Sequence, residues 1–254
     1  MVQAHKVALV TGGARRIGRA ISLDLAAHGF AVAIHCNRSQ ELANALAEEI
    51  NAGGGRAAAI EADLLDSEAT ARLVPAVIAA LGPVGLVVNN ASLFEDDSVT
   101  DFDGEAWDRH FDLHVKAPAI IARSFAAALP EGHEGLIVNI IDQRVWALTP
   151  RFFSYTLSKS ALWTATRTMA QALAPRIRVN AIGPGPTLAN ERQDTADFER
   201  QTRALILRRG PALEEFGATV RYLWEARSVT GQMIALDGGQ HLAWETPDVT
   251  GVAE

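Results

Sequence analysis

Tyr155 and Lys159 stand four residues apart in the stretch NIIDQRVWALTPRFFSYTLSKSAL, and Asp142 stands upstream of both. Residues four apart share one face of a helix, so the phenol and the ammonium are predicted to enter the same pocket. A nearby ammonium favours tyrosinate, and we expect it to lower the pKa of Tyr155 toward the range useful for acid catalysis. The three residues therefore indicate proton-transfer chemistry.

Composition limits the class of protein that can position them. A chain of 254 residues can bury one large core, so a single domain over residues 1–254 is predicted. The net charge of -7 argues against a nucleic-acid surface. One cysteine, no signal-peptide pattern in MVQAHKVALV and no apolar run near the roughly 20 residues that span a bilayer lead us to expect a cytoplasmic protein that binds no membrane.

Short apolar runs alternate with longer helical patterns along the chain. The predicted strands are Lys6–Val10, Ala31–Cys36, Ala57–Glu61, Gly85–Asn89, Leu136–Ile141, Ile177–Ile182 and Met233–Leu236. The predicted helices are Arg16–His28, Gln40–Ala52, Ser67–Leu81, Gly104–Leu129, Phe153–Ala174 and Leu213–Ala226. This alternation predicts an α/β fold with a doubly wound, parallel, seven-stranded sheet of the Rossmann type.

The segment from Gly183 to about Asp197 is irregular and rich in proline and glycine. It follows a strand end, where open α/β sheets bind ligands, so a mobile substrate loop is predicted over about residues 183–210. A plain surface connection is the alternative.

A glycine-rich turn, TGGARRIGRA, follows the first predicted strand. Thr11, Gly12, Gly13 and Gly18 lie between strand and helix, where backbone amides and a helix N-terminus can meet a pyrophosphate. The position after the first strand makes a dinucleotide site the better interpretation, although a simple strand-to-helix turn has the same composition.

The residues after the second strand indicate which dinucleotide is bound. NAD selection normally uses an acidic residue there, whereas this strand ends in His35-Cys36-Asn37-Arg38-Ser39. Arg38 and Ser39 offer a guanidinium and a hydroxyl to a 2′-phosphate, and Arg15 can approach from the glycine turn. The sequence therefore favours NADP(H), with an ordinary solvated arginine as the alternative for Arg38.

Together these motifs resemble the short-chain dehydrogenase/reductase superfamily. The resemblance rests on TGGARRIG, Asp63, NNAS at residues 89–92, the Tyr155–Lys159 pair, GPG at residues 183–185 and VTGQMIALDGG near the C-terminus. It covers about residues 6–242, and the motifs occur in order.

Three features are most similar to the pteridine and dihydromonapterin reductases of that superfamily. Arg16 replaces the usual middle glycine of the turn, the His35–Ser39 segment has the HxxRS form, and Asp142 stands where most members carry a catalytic serine. A fourth departure is His114, which replaces the common asparagine of the fourth helix. His114 either substitutes for that asparagine through a water or serves only in packing.

The resemblance implies site residues for each role. The catalytic residues are Asp142, Tyr155 and Lys159, and the substrate residues are Arg16, Phe94, Asp142 and Tyr155, with no metal. The cofactor-binding residues are Gly12, Arg15, Arg16, Ile17, Asn37, Arg38, Ser39, Asp63, Leu64, Asn90, Ala91, Ser92, Lys159, Pro184 and Gly185. A homotetramer is also implied, with the helices at 104–129 and 153–174 in one interface.

Phe94 matches the aromatic residue that holds a pterin against the nicotinamide in the resembling enzymes. A flat heteroaromatic ring gains about 0.5–1.5 kcal/mol from such stacking beyond burial. The alternative is a loop aromatic that caps the core. An apolar wall drawn from Trp146, Phe152, Phe153 and Leu188 is a further expectation, with no single member favoured.

Asp142 distinguishes between two kinds of reduction. A ketone reductase must stabilise a developing oxyanion, which an ionised carboxylate repels. A C=N bond is reduced more easily once its nitrogen is protonated, and a carboxylate favours the iminium. Pterin rings contain such bonds, so Asp142 and Tyr155 are predicted to pass a proton to ring nitrogen. A protonated Asp142 that merely replaces serine is the alternative.

The predicted function is therefore NADPH-dependent reduction of a dihydropterin, of the dihydromonapterin or dihydrobiopterin type. One alternative keeps the enzyme but changes the substrate to another carbonyl compound or cyclic imine, since a fold does not determine a function. Another is a non-catalytic NADP-sensing protein, which would have no need of both Tyr155 and Lys159.

Overall fold

A computed structural model describes residues 5–189 and 194–246, which form one parallel sheet with helices on both faces. The strands are β1 (Val7–Val10), β2 (Ala31–Cys36), β3 (Arg56–Glu61), β4 (Leu86–Asn89), β5 (Gly135–Ile140), β6 (Ile177–Pro184) and β7 (Met233–Leu236). Their order is β3-β2-β1-β4-β5-β6-β7, and every neighbouring pair is parallel. The predicted doubly wound, seven-stranded sheet is confirmed.

Eight α-helices occur within the described residues. They are α1 (Arg16–Ala27), α2 (Gln40–Ala52), α3 (Ser67–Leu81), α4 (Gly104–Phe111), α5 (Ala117–Ala128), α6 (Phe153–Leu173), α7 (Thr195–Arg203) and α8 (Leu213–Glu225). Two short 3₁₀ turns, Gln143–Val145 and Gln240–Leu242, follow β5 and β7.

Alternate residues of each strand serve the two faces of the sheet. In β1, Val10 packs in one apolar cluster with Leu25 of α1 and Phe216 of α8. Its neighbour Leu9 packs on the opposite face with Ile121 of α5. Because both faces are covered, the strands are apolar throughout, which is why they lack the alternation of a half-exposed sheet.

The prediction of one continuous helix over Gly104–Leu129 is wrong in the middle of that range. α4 ends at Phe111, a π-helical turn spans Asp112–Lys116, and α5 begins at Ala117. A π turn accommodates one additional residue within a helix and is frequent at functional sites. This turn carries His114, whose side chain is buried.

The irregular segment predicted from Gly183 to Asp197 is also partly wrong. β6 continues to Pro184, and α7 begins at Thr195 with Asp194 as its N-cap, which accepts a hydrogen bond from the Asp197 N–H at 2.7 Å. No residue of α7 is buried, so the helix lacks the apolar periodicity by which a sequence reveals one. Residues 190–193 and the C-terminal residues 247–254 lie outside the described part of the chain.

His35, at the end of β2, connects this buried strand to two loops. Its Nδ1 accepts a hydrogen bond from the Gly12 N–H at 3.1 Å, and its Nε2 lies 3.0 Å from the Ala62 carbonyl oxygen. Because an N–H group faces Nδ1, the ring proton lies on Nε2 and is donated to Ala62. Burial lowers the pKa of His35 to about 4, so the ring is neutral at physiological pH.

We expect His35 to make the protein less stable in acid. Its pKa falls from 6.5 in the unfolded chain to about 4 in the folded protein, so the unfolded state binds more protons between these values. The free energy of unfolding therefore decreases as the pH falls through this window, by about 3 kcal/mol at pH 4.

The matched control is His35→Asn, which keeps an acceptor for Gly12 but does not titrate. Urea unfolding of both proteins at pH 7 and at pH 4 measures the effect. The wild type should lose about 3 kcal/mol more than the variant over this range. An equal loss in the two proteins would contradict the assignment of His35.

Candidate active site

The glycine turn after β1 is held by the loop that follows β4. The Asn90 side-chain amide donates to the carbonyl oxygens of Thr11 and Gly12, at 2.9 and 3.1 Å. In return, Thr11 Oγ1 accepts from the N–H groups of Asn90 and Ala91, at 2.9 and 3.0 Å. Asn90 and Ala91, predicted to bind cofactor, thus hold the turn in shape where the strand order reverses, which is where open α/β sheets bind ligands.

The start of α1 is suited to an anion. The N-cap residue Arg15 makes no side-chain capping hydrogen bond, and the first turn contains no acidic residue. The first N–H groups of an α-helix have no partner within the helix, and they carry the positive end of its dipole. Arg15 is exposed and adds a cation to this end, whereas the Arg16 guanidinium donates to carbonyl oxygens of the loop after β6.

The remaining residues predicted to bind cofactor lie at the same carboxyl edge of the sheet. Asn37 and Arg38 are exposed after β2, and Ser39 precedes α2 as its N-cap. After β3, Leu64 is buried, and the Asp63 carboxylate accepts from the Leu65 N–H at 3.0 Å. The Arg38 side chain is thus exposed at this edge, whereas Leu64 contributes packing.

Tyr155, Lys159 and Asp142 meet beyond the end of β5. The Tyr155 hydroxyl donates to Asp142 Oδ2 at 2.9 Å, and the other carboxylate oxygen accepts from the Arg144 N–H at 2.8 Å. Lys159, one helical turn after the tyrosine, donates from Nζ to the Ile140 carbonyl oxygen at 2.9 Å. Both α6 side chains are buried, so the predicted grouping is present with the carboxylate as the tyrosine's direct partner.

Burial controls the protonation of these three groups. It raises the pKa of Asp142, against the lowering effects of the Arg144 N–H and the nearby cations. Burial and then the Asp142 carboxylate raise the pKa of Tyr155 well above 10. Burial lowers the pKa of Lys159 to about 8.

The expectation that Lys159 lowers the pKa of Tyr155 is therefore wrong for this arrangement. The hydroxyl faces a carboxylate, and the ammonium lies 5.7 Å from the centre of the phenol ring. A carboxylate acceptor stabilises the neutral phenol, so the proton is retained between Tyr155 and Asp142.

Asp142 and Tyr155 face a cavity of about 670 Å³. Its apolar lining comes from Ile17, Phe94, Phe152, Pro184, Gly185, Pro186, Leu188 and Phe198. A volume of this size is typical of sites for small organic ligands. The predicted residues Arg16, Phe94, Asp142, Tyr155, Pro184 and Gly185 therefore do share one cavity.

Arg16 closes one side of this cavity. Its guanidinium donates to the carbonyl oxygens of Ala189 and Leu188, at 3.0 and 3.1 Å. The residue has a φ of 49°, in the left-handed region where glycine is usual. The side chain predicted to meet phosphate and substrate thus binds the beginning of the predicted substrate loop.

Phe94 belongs to an aromatic cluster at the cavity wall. Its ring stacks on Phe152, with centroids 4.3 Å apart, and meets the Tyr155 ring edge-on at 4.8 Å. The Arg144 guanidinium lies 4.5 Å from the Phe152 centroid and 5.2 Å from that of Phe94. Phe94 thus lies at the cavity wall with its ring stacked on Phe152 and a cation nearby, and its contact with a ligand stays a prediction.

Only part of the predicted apolar wall lines the cavity. Phe152 and Leu188 do, whereas Trp146 is 42% exposed and packs beside Trp163 and His241. Phe153 packs against Trp107 of α4 and against Phe102, which precedes that helix. Phe152 precedes α6 as its N-cap with a φ of 56°, and Phe153 begins the helix, so the first ring lies at the cavity while the second packs against Trp107.

Arg144 is a site residue that the sequence reasoning did not identify. It lies two residues after Asp142, lines the cavity, and has an Nη1 atom that is buried without a hydrogen-bond partner among the described residues. Its position directly after the end of β5 was the available signal, because the carboxyl ends of parallel strands carry the ligand contacts.

Two classes of feature do not occur in the described residues. No group of three or more His, Cys, Asp and Glu side chains is arranged to hold a metal ion. No helix in this part of the chain is long and apolar enough to cross a membrane.

The sheet, the glycine turn and the Tyr155–Lys159 pair on α6 are those of a nucleotide-dependent dehydrogenase. A model of the short chain dehydrogenase family matches residues 6–200, and the chain belongs to this family. A short-chain type dehydrogenase/reductase from Picea abies is 32% identical over 249 residues, which cover 92% of each chain.

Two solved structures are more similar still. One is FolM alternative dihydrofolate reductase 1 from Brucella canis complexed with NADP, which is 62% identical with a TM-score of 0.95 and 98% of each chain covered. The other is FolM alternative dihydrofolate reductase 1 from Brucella suis in complex with NADP, which is 63% identical with a TM-score of 0.94. That comparison covers 98% of this chain and 100% of the other.

We expect Gly18→Ala to be destabilising. A Cβ at Gly18 would overlap the Gly12 carbonyl oxygen and the Asn90 amide, which are the groups that shape the turn. Overpacking of this kind costs about 1–3 kcal/mol. Gly104→Ala is the matched control, because a Cβ there meets no atom within 4 Å. Urea unfolding should show a loss for the first variant and none for the second; equal stabilities would contradict this account of the turn.

Proposed function

We propose that the chain reduces a dihydropterin to its tetrahydro form with NADPH, by protonating a C=N nitrogen from the Tyr155–Asp142 pair. The substrate class comprises pterins of the dihydromonapterin and dihydrobiopterin type, with dihydrofolate as a further member. The solved FolM structures support this class, since they share over 60% of their residues with this chain. The chain itself is an NADP-dependent oxidoreductase of the short chain dehydrogenase family.

The observation that carries the proposal is the hydrogen bond of 2.9 Å between the Tyr155 hydroxyl and Asp142. Burial raises the pKa values of both groups, so the pair holds a proton beside the cavity. An imine nitrogen placed there would receive this proton, and the remaining negative charge would favour the iminium. The Arg144 N–H holds the carboxylate in position during the transfer.

The residues at the carboxyl edge fit NADP. The open N-terminus of α1 suits a pyrophosphate, and the exposed Arg15 and Arg38 suit a 2′-phosphate. When bound, the cofactor supplies the hydride. In this proposal Lys159, whose Nζ donates to the Ile140 carbonyl oxygen, holds the nicotinamide ribose.

A second candidate is reduction of a carbonyl compound or of another cyclic imine. The raised pKa of Asp142 favours it, because a neutral carboxyl can donate a hydrogen bond to a developing oxyanion as a serine would. Under this alternative Asp142 is replaceable by serine. Under the pterin proposal it is not.

We also propose a homotetramer in the cytoplasm, with α4, α5 and α6 in one interface and residues 183–210 acting as the substrate loop. Exposed apolar side chains on or beside these helices, Phe102 and Leu157, are consistent with such an interface. The carbonyls of Leu188 and Ala189, bound by Arg16 at the cavity, support the role of the loop.

Replacement of Asp142 separates the two candidates. NADPH oxidation is measured with dihydromonapterin, dihydrobiopterin, dihydrofolate and a panel of ketones, for wild type, Asp142→Ser and Asp142→Asn. On dihydropterins both variants should lose about 100-fold or more in kcat, because neither supplies the proton-holding carboxylate. Asp142→Asn is the control for shape, since its amide oxygen still accepts from Arg144. Turnover of ketones alone, or a more active serine variant, would contradict the pterin proposal.

Replacement of Arg38 tests the cofactor. We expect Arg38→Ala to raise the KM for NADPH about tenfold or more and to leave the KM for NADH unchanged, because only the 2′-phosphate needs the guanidinium. Arg19→Ala is the control: this exposed arginine pairs instead with Glu49, at 2.7 Å. An equal rise of the KM for NADPH and for NADH would show that Arg38 does not bind the 2′-phosphate.

A further inference from the structure

Two neighbouring side chains at the cavity carry buried polar atoms without a partner. Gln143 and Arg144 lie on the 3₁₀ turn that follows Asp142, and both line the cavity. Gln143 Oε1 and Arg144 Nη1 are buried, and neither makes a hydrogen bond within the part of the chain that the structure describes. Gln143 as a whole is only 4% exposed. The wall after Asp142 thus contains an unused acceptor and an unused donor.

Such atoms are unfavourable in a folded protein unless something binds them. Most buried polar groups are hydrogen-bonded, because an unpaired one has lost its water without a replacement. A ligand group that donates to Gln143 and one that accepts from Arg144 would satisfy both residues. If the Gln143 amide is turned over, its oxygen and nitrogen exchange places, so a group that both donates and accepts suits either orientation.

Arg144 differs from the other arginines that line the cavity. Arg16 donates to two carbonyl oxygens of the loop after β6, and Arg151 is paired with Asp96, to which its Nε donates at 3.2 Å. The Arg144 guanidinium lies 4.5 Å from the centroid of the Phe152 ring. That contact attracts the charge but provides no oxygen acceptor for Nη1. Arg144 therefore has a donor left for a ligand.

The two residues stand beside the proposed proton donor. They follow Asp142 directly, and the Arg144 N–H donates to the Asp142 carboxylate at 2.8 Å. In a dihydropterin, the carbon of the reducible C=N bond carries the side chain of the ring. When Tyr155 and Asp142 face the nitrogen of that bond, the first atoms of the side chain lie next to them. Gln143 and Arg144 are therefore placed to meet this side chain.

We propose that Gln143 and Arg144 determine substrate specificity by binding hydroxyl groups on the side chain of the dihydropterin. A hydroxyl both donates and accepts, so neighbouring hydroxyls satisfy Gln143 and give Arg144 an oxygen acceptor. Side chains of the dihydromonapterin and dihydrobiopterin type carry such hydroxyls. Dihydrofolate has a methylene and an N–H at that place, which offer the guanidinium no oxygen. This inference rests on the proposed function, and it ranks hydroxylated dihydropterins above dihydrofolate as substrates.

The experiment compares dihydrobiopterin with the dihydropterin that carries a methyl group in place of the side chain. The value of kcat/KM is measured with NADPH for both substrates, and their ratio gives the preference of each protein. We expect wild type to prefer dihydrobiopterin. Arg144→Leu should lower this preference about 10- to 100-fold and Gln143→Met about three- to tenfold, because the first change removes a charged donor. The ratio does not depend on the fraction of folded protein.

A matched control separates recognition of the side chain from a general effect of charge. Burial raises the pKa of Asp142 and the Arg144 charge opposes this rise, so loss of the cation also affects proton transfer. That effect changes both substrates equally and cancels in the ratio. Arg151→Leu should keep the preference of wild type, because this arginine lines the cavity but is paired with Asp96. No preference in wild type, an unchanged ratio in Arg144→Leu, or an equal fall in Arg151→Leu would overturn the proposal.

A binding measurement distinguishes failure of this inference from failure of the proposed function. Calorimetry in the presence of NADP⁺ gives the Kd values of the fully oxidised forms of the two compounds. Wild type should bind the hydroxylated form about tenfold or more tightly, and Arg144→Leu should bind both forms nearly alike. A preference that survives in Arg144→Leu would overturn the inference and leave the proposed function intact. Selective binding without reduction of any dihydropterin would overturn the proposed function alone, and no binding of either compound would overturn both.

Discussion

The site depends on one hydrogen bond between two acids that share a proton in a buried environment. Tyr155 and Asp142 would each lose a proton more readily in bulk water, because burial raises the pKa of both groups and the Asp142 carboxylate accepts the hydrogen bond of the phenol. The surrounding cations compensate in part, because Arg144 and Lys159 lie close enough to influence the pair. The pair therefore retains a proton beside the cavity more readily than the separate groups would in water.

The parallel sheet explains why these groups meet. All seven strands point the same way, so the loops that follow β1, β4, β5 and β6 open at one edge. The β1 loop is shaped by Asn90 from the β4 loop, which in turn is held by His114 from the π turn. Loops that are distant in the sequence therefore hold one another in position at this edge. Each contact joins a side chain to a backbone group, and a backbone group is present whatever residue stands there.

The sequence predicted the elements well where burial imposes a pattern. The bounds of α2 and α3 are as predicted, because their apolar faces are local patterns and α3 also begins at the capping residue Asp66. The sequence did not predict α7, because no face of that helix is buried. It also did not predict the π turn at 112–116, because one additional residue leaves the surrounding helical pattern intact. At the site, residue types indicated Asp142 and Tyr155 as partners. The direction of the tyrosine's pKa shift required the three-dimensional contact, since it depends on which charge lies nearer.

Arg16 connects the nucleotide turn after β1 with the loop that follows β6. Its backbone belongs to the nucleotide turn. Its guanidinium donates to the carbonyl oxygens of Leu188 and Ala189, which lie 172 and 173 residues away in the sequence. A left-handed backbone at this residue costs about 1–2 kcal/mol, which the two hydrogen bonds help to offset. A substitution of Arg16 itself therefore alters the cavity and the nucleotide turn together, so substrate binding and nucleotide binding are coupled through this one residue.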